Sequence, residues 1–158
     1  MRLTKVQKFR AVSLVAMTII SLAWYGVAWA ADWASVIMYH RFGEDQHTST
    51  NIRIDQFKEH IQELKNGQYT VLPLNEIVDR LESGETLPDR TVAITIDDAY
   101  QSVYNIAWPL LKEANLPFTV FVSVEGVEKR LPDYMNWDQI RELRDAGVHI
   151  GHHTYSHS

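Results

Sequence analysis

The chain has 158 residues, enough for one domain, and its 46% hydrophobic and 11% aromatic content is typical of a folded protein. It contains no cysteine, which excludes disulfides, thiolate metal sites and a cysteine nucleophile. Its formal net charge is −5, so neither nucleic acid nor an anionic lipid surface is expected as its main partner.

Residues 1–30 have the layout of a secretory signal peptide. Four cations and no acidic residue stand at the start, and an apolar stretch follows from Ala11 to Ala23. Ala28 and Ala30 place small residues at the two positions that signal peptidase recognises. We therefore expect cleavage after Ala30, export to the periplasm or the medium, and a mature domain of residues 31–158. Loss of the four cations takes its net charge to −9. The alternative is an uncleaved anchor, because the apolar stretch could just span a bilayer, and we expect no other membrane contact.

Five short apolar runs in the mature chain predict β-strands. The clearest is Thr91–Ile96, which is β-branched, nearly continuous and followed by two aspartates. The first run, Ser35–Tyr39, is predicted to be buried. The other three are Tyr69–Leu72, Phe118–Val124 and Val148–Gly151.

Four amphipathic stretches between these runs predict helices. Asp55 is the predicted N-cap of the first helix, which Gly67 ends, and Asn136 caps the last, which Gly147 ends. Pro109 is predicted to kink the third helix near its middle. The predicted inward-facing residues are Phe57, Ile61 and Leu64; Leu74, Ile77, Val78 and Leu81; Tyr104, Ala107, Leu110 and Leu111; and Trp137, Ile140 and Leu143. The alternation predicts an α/β fold in which crossover helices join parallel strands.

Two consecutive carboxylates, Asp97 and Asp98, directly follow the clearest strand. Two like charges at the end of a buried strand are costly unless a cation compensates them. One aspartate can then bind the cation while the other remains able to accept a proton. The alternative is an ordinary Asp-Asp turn or a helix cap.

His153 and His157 are four residues apart, and on a helical turn this spacing would let both imidazoles bind one divalent ion. The spacing alone is weak evidence in a chain with seven histidines. His152 is predicted to face solvent or to pack rather than to bind. Two histidines and one carboxylate would suit zinc, with cobalt, nickel or iron also possible. Together with a neighbouring carboxylate as general base, these residues indicate metal-assisted hydrolysis.

Four segments together resemble the polysaccharide deacetylases, the carbohydrate esterases with a NodB-type fold. The segments are Thr91–Asp98, Leu116–Val122, Trp137–Gly147 and Ile150–His157. The family's first motif is T-F-D-D and its second is H-(S/T)-x-x-H, and both are present here in that order. Ile96 replaces the phenylalanine of the first motif, and Ala99 stands where glycine is usual.

The resemblance implies a role for each matched residue. Asp97 corresponds to the family's catalytic base, and Asp98, His153 and His157 correspond to its metal ligands. The implied reaction is the hydrolysis of the acetamido group of an N-acetylated polysaccharide by a water that the metal activates. Acetate is released and a free amine remains on the sugar.

The resemblance also implies a partial NodB-type distorted (β/α) barrel, because the family's later motifs, which include a histidine acting as general acid, have no match here. We therefore expect the C-terminal strands to be missing, an apolar edge to be exposed, and folding and turnover to be poor. Two alternatives remain: an inactive truncated fragment that binds only metal or glycan, and a metal-dependent hydrolase of another amide or ester.

Two further features bear on substrate binding. His40 ends the first strand after Tyr39, and similar Tyr-His pairs occur at this point in some deacetylases. His40 is therefore a candidate for the substrate groove, with a structural role as the alternative. Tyr100, Tyr104 and Trp108 are at helical spacing and could stack on a sugar, although such aromatic residues more often belong to a core.

Overall fold

The structure is a computed structural model, and it describes residues 31–156. The predicted signal peptide and His157 lie outside the described residues. In chain order the elements are β1 (Ser35–Tyr39), β2 (Arg41–Phe42), β3 (Asn51–Ile52), α1 (Ile54–Asn66), β4 (Thr70–Val71), α2 (Leu74–Glu82), β5 (Thr91–Asp97), a π-helical turn (Val103–Ala107), α3 (Trp108–Ala114), β6 (Thr119–Val122), α4 (Val124–Glu128), α5 (Trp137–Asp145) and β7 (His149–His152).

The main sheet is parallel, with the order β1-β5-β6-β7 and with β4 paired to the start of β5. Tyr39 is aligned with Ile96, and Val122 is aligned with His152, so the carboxyl ends of these strands lie at one edge of the sheet. All seven residues of β5 are buried, as its central position requires. The predicted α/β fold with parallel strands and crossover helices is confirmed.

One face of the sheet packs against the helices and forms the main core. Tyr39, Ile96 and Val120 lie on this face, and Phe42 and Phe57 pack beside them. The rings of Phe42 and Phe57 have centroids 4.7 Å apart, and those of Tyr39 and Phe57 are 5.3 Å apart. Apolar burial of this kind is the main source of the fold's stability, and it holds β1 and β5 against α1.

The burial predicted for β1 is wrong, although the strand itself is present. Only Tyr39 is buried, whereas Val36 and Met38 are 53% and 59% exposed. The reason is that β1 lies at the end of the strand order, and on the face of Val36 the second core cluster, around Ala93, reaches Ala34 of the described residues but not the exposed side chains of β1. A continuous apolar run therefore did not distinguish a central strand from an edge strand.

The predicted N-cap of the first helix is also wrong. The helix begins at Ile54 with Arg53 as its N-cap, and Asp55 lies in the first turn, where a carboxylate interacts favourably with the helix dipole. Pro109 lies near the middle of an uninterrupted helical segment, residues 101–114, as predicted, and the turn directly before it is π-helical. Proline lacks an N–H, so an irregular turn at this point of a helix is expected.

Inward faces were overpredicted at three positions. Val78 and Leu81 of α2 are 42% and 38% exposed, and Trp137 of α5 is 39% exposed. Ile77 is the buried residue of α2, because this short helix packs only near the start of β5, against Ala93 and beside Leu87. The N-cap at Asn136 is confirmed, and α1 ends at Gly67 as predicted.

Candidate active site

The polar residues singled out in the sequence lie at the carboxyl edge of the parallel sheet. His40 follows β1, Asp97 ends β5 with Asp98 directly after it, and His153 follows β7. Ser123 follows β6, the strand that lies between β5 and β7 in the sheet. In parallel α/β folds the carboxyl ends of strands are where binding and catalytic groups collect. Four consecutive positions in the sheet order thus contribute one side chain or more to the same edge.

The two aspartates approach the same imidazole. Nε2 of His153 is 3.9 Å from Oδ2 of Asp97 and 3.8 Å from Oδ1 of Asp98. Consecutive residues of a regular strand point to opposite faces, so this convergence needs a break in the strand. The break is at Asp98, whose φ of +72° places it in the left-handed region, as does the φ of +56° at Ala99.

Backbone hydrogen bonds hold this unusual turn. The N–H of Asp98 donates to the carbonyl of Phe121 at 2.9 Å, and the N–H of Met135 donates to the carbonyl of Ala99 at 2.9 Å. Left-handed backbone costs about 1–3 kcal/mol at each non-glycine residue and persists only where the surrounding structure holds it. The glycine usual at position 99 would adopt this conformation more easily than Ala99, which nevertheless keeps it.

Both carboxylates are shielded from solvent. Asp97 is 8% exposed and Asp98 is 4% exposed. The hydroxyl of Ser123 donates a hydrogen bond of 2.9 Å to Oδ1 of Asp98, the same oxygen that faces His153. A buried carboxylate needs hydrogen-bond donors or positive charge around it, and the hydroxyl of Ser123 is one such donor.

The helical turn predicted for His153 to His157 is wrong over its described part. His153 has no regular secondary structure, and residues 154–156 form a turn in which Thr154 has a φ of +60°, outside the right-handed helical region. The N–H of Thr154 donates to Nδ1 of His152 at 3.2 Å, so His152 is solvent-exposed and makes a local contact, as predicted. His157 itself lies outside the described residues.

The donor set of Asp98 and His153 fits a divalent metal ion. Two ligands of a tetrahedral zinc ion, with bonds of about 2.0–2.2 Å, stand roughly 3.3–3.5 Å apart. The 3.8 Å between Nε2 of His153 and Oδ1 of Asp98 is close to that separation. Within residues 31–156, no three His, Cys, Asp or Glu side chains form a complete metal-binding group. The described part of the chain therefore contains two of the three predicted ligands at a suitable separation.

A cleft of about 440 Å³ opens beside Asp98 and Ser123. His40 is one of the residues that line it. One wall consists of Tyr100 and Tyr134, whose ring centroids are 4.8 Å apart. Burial, followed by a hydrogen bond with Tyr134 and the charge of Asp98, raises the pKa of Tyr100 well above its usual value, so this phenol is neutral at physiological pH.

The wall of the cleft is supported from behind by a buried arginine. The guanidinium of Arg41 lies 3.4 Å from the ring centroid of Tyr100 and is also paired with Glu44. On the other side, a Cβ placed on Gly126 would stand 2.5 Å from the ring of Tyr134. The absence of a side chain at Gly126 therefore lets the Tyr134 ring pack directly on α4.

The three aromatic residues at helical spacing do not form one platform. Tyr100 lines the cleft, whereas Tyr104 and Trp108 pair with each other at 5.2 Å and pack against the core. Trp108 lines a separate groove with Leu116 and Gly147, which precede β6 and β7. Tyr100 lies before the helix, in an isolated β-bridge with Tyr134, so it does not share a helical face with the other two.

Two residues of the site were not found from the sequence. Ser123 could have been found, because it occupies the same strand-end position as Asp98 and His153. Tyr134 could not, since it lies in the segment between α4 and α5 and is brought to the cleft by packing on Gly126.

None of the helices in the part of the chain that the structure describes has both the length and the apolar character needed to cross a bilayer.

Comparison with known proteins agrees with this architecture. The model of the polysaccharide deacetylase family matches residues 84–158. The poly-β-1,6-N-acetyl-D-glucosamine N-deacetylase of Staphylococcus epidermidis is 34% identical over 85 residues, which are 54% of this chain and 29% of that protein. A solved deacetylase of Streptococcus pyogenes, PplD in complex with acetate, matches with a TM-score of 0.70 and 25% identity, covering 79% of this chain and 57% of that one. IcaB from Ammonifex degensii matches with a TM-score of 0.70 and 31% identity, covering 80% of this chain and 55% of that one.

The fold and the site together define an α/β protein of parallel strands with a cluster of carboxylates and imidazole at their carboxyl ends. Residues 84–158 match the model of the polysaccharide deacetylase family, and the chain is similar in sequence and fold to deacetylases of that family. It spans between 18% and 42% of the length of the curated relatives that it matches, and 40–57% of the solved chains. The parallel sheet thus corresponds to part of the barrel in these structures.

Proposed function

We propose that this chain carries the base and metal-ligand portion of a metal-dependent N-deacetylase acting on an N-acetylated polysaccharide. The observation that supports the proposal best is the convergence of Asp97 and Asp98 on one imidazole, that of His153, at the carboxyl ends of two strands. Such a cluster at the mouth of a cleft suits hydrolysis of an amide whose carbonyl must be polarised. The name of the Staphylococcus epidermidis relative supports the choice of an acetamido sugar polymer.

In this proposal each residue acts at a stated atom. A carboxylate oxygen of Asp97 accepts a proton from the water that attacks the acetamido carbonyl, and the C–N bond then breaks to give acetate and a free amine. Asp98, His153 and His157 would hold a divalent ion, most naturally zinc, with cobalt, nickel or iron as alternatives. That ion would supply polarisation of the carbonyl oxygen. The identity of the acid that protonates the amine lies outside these residues.

The composition of the cleft supports recognition of a sugar. Tyr100 and Tyr134 present aromatic surface beside Asp98, and His40, Thr50 and Ser123 add polar groups. Aromatic faces with a few polar groups are typical of sugar-binding sites, because pyranose rings have an apolar face. We include His40 in the substrate groove on this ground.

The test is amine release from soluble oligomers of chitin and of poly-β-1,6-N-acetylglucosamine, measured with a fluorogenic amine reagent in the presence of Zn²⁺ or Co²⁺. We expect Asp97→Asn to lower the rate about 100-fold or more, since a general base contributes about 10²–10⁴. Asp79→Asn, at an exposed position on α2, is the matched control and should leave the rate unchanged. Equal rates for the wild type and Asp97→Asn would refute the role of Asp97.

The principal alternative is a chain that binds metal or glycan without catalysis. Binding of Zn²⁺ by competition titration and binding of the oligomers by calorimetry separate the two cases. Zinc or glycan binding with no amine release from the wild type would favour the alternative. Amine release would rule it out, whatever the affinity.

We also propose that the protein is exported, because residues 1–30 have the organisation of a signal peptide with a small-residue cleavage site. Mass spectrometry of the protein recovered from the periplasm or medium should find Ala31 at the N-terminus. A chain recovered with Met1 in the membrane fraction would instead indicate an uncleaved anchor.

A further inference from the structure

Ser123 lies where three strand ends of the sheet meet. It directly follows β6, which has β5 on one side and β7 on the other. Its hydroxyl donates to Oδ1 of Asp98 at 2.9 Å and is 3.4 Å from the backbone carbonyl oxygen of His153. A serine hydroxyl has one proton, so the shorter contact with the carboxylate is the one that it donates to. The residue is 5% exposed, so water competes little for this bond.

The side chain of Ser123 is turned away from the partner that its position would normally give it. Ser123 is the N-cap of α4, where a serine hydroxyl usually accepts a hydrogen bond from an N–H of the first turn. Here no side-chain cap is formed. The first N–H groups of α4 are taken by the segment after β7 instead, since Val124 and Glu125 donate to the carbonyls of Thr154 and Tyr155 at 3.4 Å and 2.9 Å. Because these backbone carbonyls accept the N–H groups in place of the serine hydroxyl, the hydroxyl of Ser123 is available for Asp98.

The hydrogen bond from Ser123 restricts rotation of the Asp98 carboxylate about its Cβ–Cγ bond. Rotation of an aspartate carboxylate about its Cβ–Cγ bond is broad and roughly two-fold, so the direction of each oxygen depends on its hydrogen bonds. Oδ1 accepts from Ser123 and also faces Nε2 of His153 at 3.8 Å. The hydroxyl of Ser123, directly after β6, therefore orients Oδ1 of Asp98, directly after β5, toward the imidazole of His153, directly after β7.

We propose that Ser123 is a positioning residue that orients Asp98 as a metal ligand. This inference rests on the proposed function, because it requires Asp98 and His153 to bind a common ion. Partners that orient metal ligands from behind typically contribute about 10–100-fold to metal affinity. Loss of the hydroxyl should remove one restraint on the orientation of the carboxylate and should weaken metal binding without changing the ligands themselves.

The test uses the full chain and measures the dissociation constant of Zn²⁺ by competition with a chromogenic chelator. We expect Ser123→Ala to raise the dissociation constant about tenfold or more. Ser123→Thr keeps the hydroxyl and should restore an affinity close to that of the wild type. Ser102→Ala is the matched control, because Ser102 is also buried but its hydroxyl accepts a hydrogen bond from the N–H of Phe42 at 3.2 Å. This control should leave the dissociation constant unchanged.

Thermal unfolding of the metal-free proteins shows whether each variant is folded before its affinity is compared. A folded Ser123→Ala variant with wild-type affinity overturns the inference and leaves the proposed metal site intact. An equal loss of affinity in Ser102→Ala also overturns it, because the effect would then be general destabilisation. A folded wild type that binds no Zn²⁺ overturns the metal site itself, and the inference with it.

Discussion

At the scale of single residues, the site depends on one local departure from regular strand geometry. Asp98 and Ala99 adopt left-handed backbone directly after β5, and this turns two carboxylates that would alternate across the sheet toward His153. The turn is held by hydrogen bonds with Phe121 and Met135 rather than by glycine. Strain of this kind is concentrated at functional sites because rigid neighbours can maintain it there.

Tyr39 is a residue whose buried surroundings make a prediction about pH. Burial raises the pKa of Tyr39 to about 12, and its hydroxyl is hydrogen-bonded to Nδ1 of His60 at 2.9 Å. The folded pKa lies above the unfolded value, so the stabilisation is complete below about pH 10 and is lost as the pH rises through 12. We expect the free energy of unfolding to fall across this range, and to fall less steeply in Tyr39→Phe.

The measurement is urea unfolding between pH 9 and 12. Some dependence should remain in Tyr39→Phe, because the pKa of Tyr100 is raised as well. Below pH 9 the variant should be destabilised by about 1 kcal/mol through loss of the hydrogen bond with His60. An identical pH dependence in the variant and the wild type would exclude Tyr39 as the titrating group.

At the scale of elements, the helices differ in whether a side chain caps their N-terminus. Asn136 forms a full capping box with Gln139, in which each side chain bonds the backbone N–H of the other at 2.9 Å. The N-caps of α1 and α2 are Arg53 and Pro73, which make no such bond. The start of α5 is therefore defined locally by sequence, whereas the starts of α1 and α2 depend on packing against the sheet.

This difference predicts the effect of removing the cap of α5. Asn136→Ala should lower the free energy of unfolding by about 1 kcal/mol, because the N–H of Gln139 loses its acceptor at a helix end. Asn136→Asp keeps an acceptor and is the matched control, expected to remain within a few tenths of the wild type. The measurement is urea unfolding at pH 7. Equal stability of Asn136→Ala and Asn136→Asp would contradict the role of the cap.

At the scale of the whole molecule, the two faces of the sheet have different surroundings. One face forms the main core, while the other carries the smaller cluster around Ala93 and, on the outermost strand, presents Val36 and Met38 to solvent. Exposed apolar side chains on a strand at the end of a sheet favour pairing with other chains. Within residues 31–156, β1 therefore presents an exposed apolar surface made by these two side chains.

We expect this surface to cause self-association of the 158-residue chain. The double variant Val36→Thr with Met38→Lys should shift the mass distribution toward monomer in analytical ultracentrifugation, because a charge at a strand edge opposes pairing. Val78→Thr is the matched control, since Val78 is 42% exposed but lies on α2. Unchanged association in the β1 double variant would show that another surface is responsible.

Much of this architecture could be predicted from sequence because its causes are local. The β-branched run at Thr91–Ile96 forms the central strand, Asn136 caps its helix, and strand and helix alternate as parallel sheets require. Asp97, Asp98 and His153 were also found from sequence, since strand ends in such sheets converge. The predictions that failed, such as the burial of Val36, depended on which neighbours each element has.

The amino-acid sequence by itself determined which residues are candidates for catalysis or metal binding and at which strand ends they lie. Only the tertiary structure decided which of them meet. The left-handed backbone at Asp98 brings two carboxylates to one imidazole, and the segment after β7 caps α4 and so leaves the hydroxyl of Ser123 to Asp98. Both depend on hydrogen bonds between residues far apart in sequence, which no local pattern encodes.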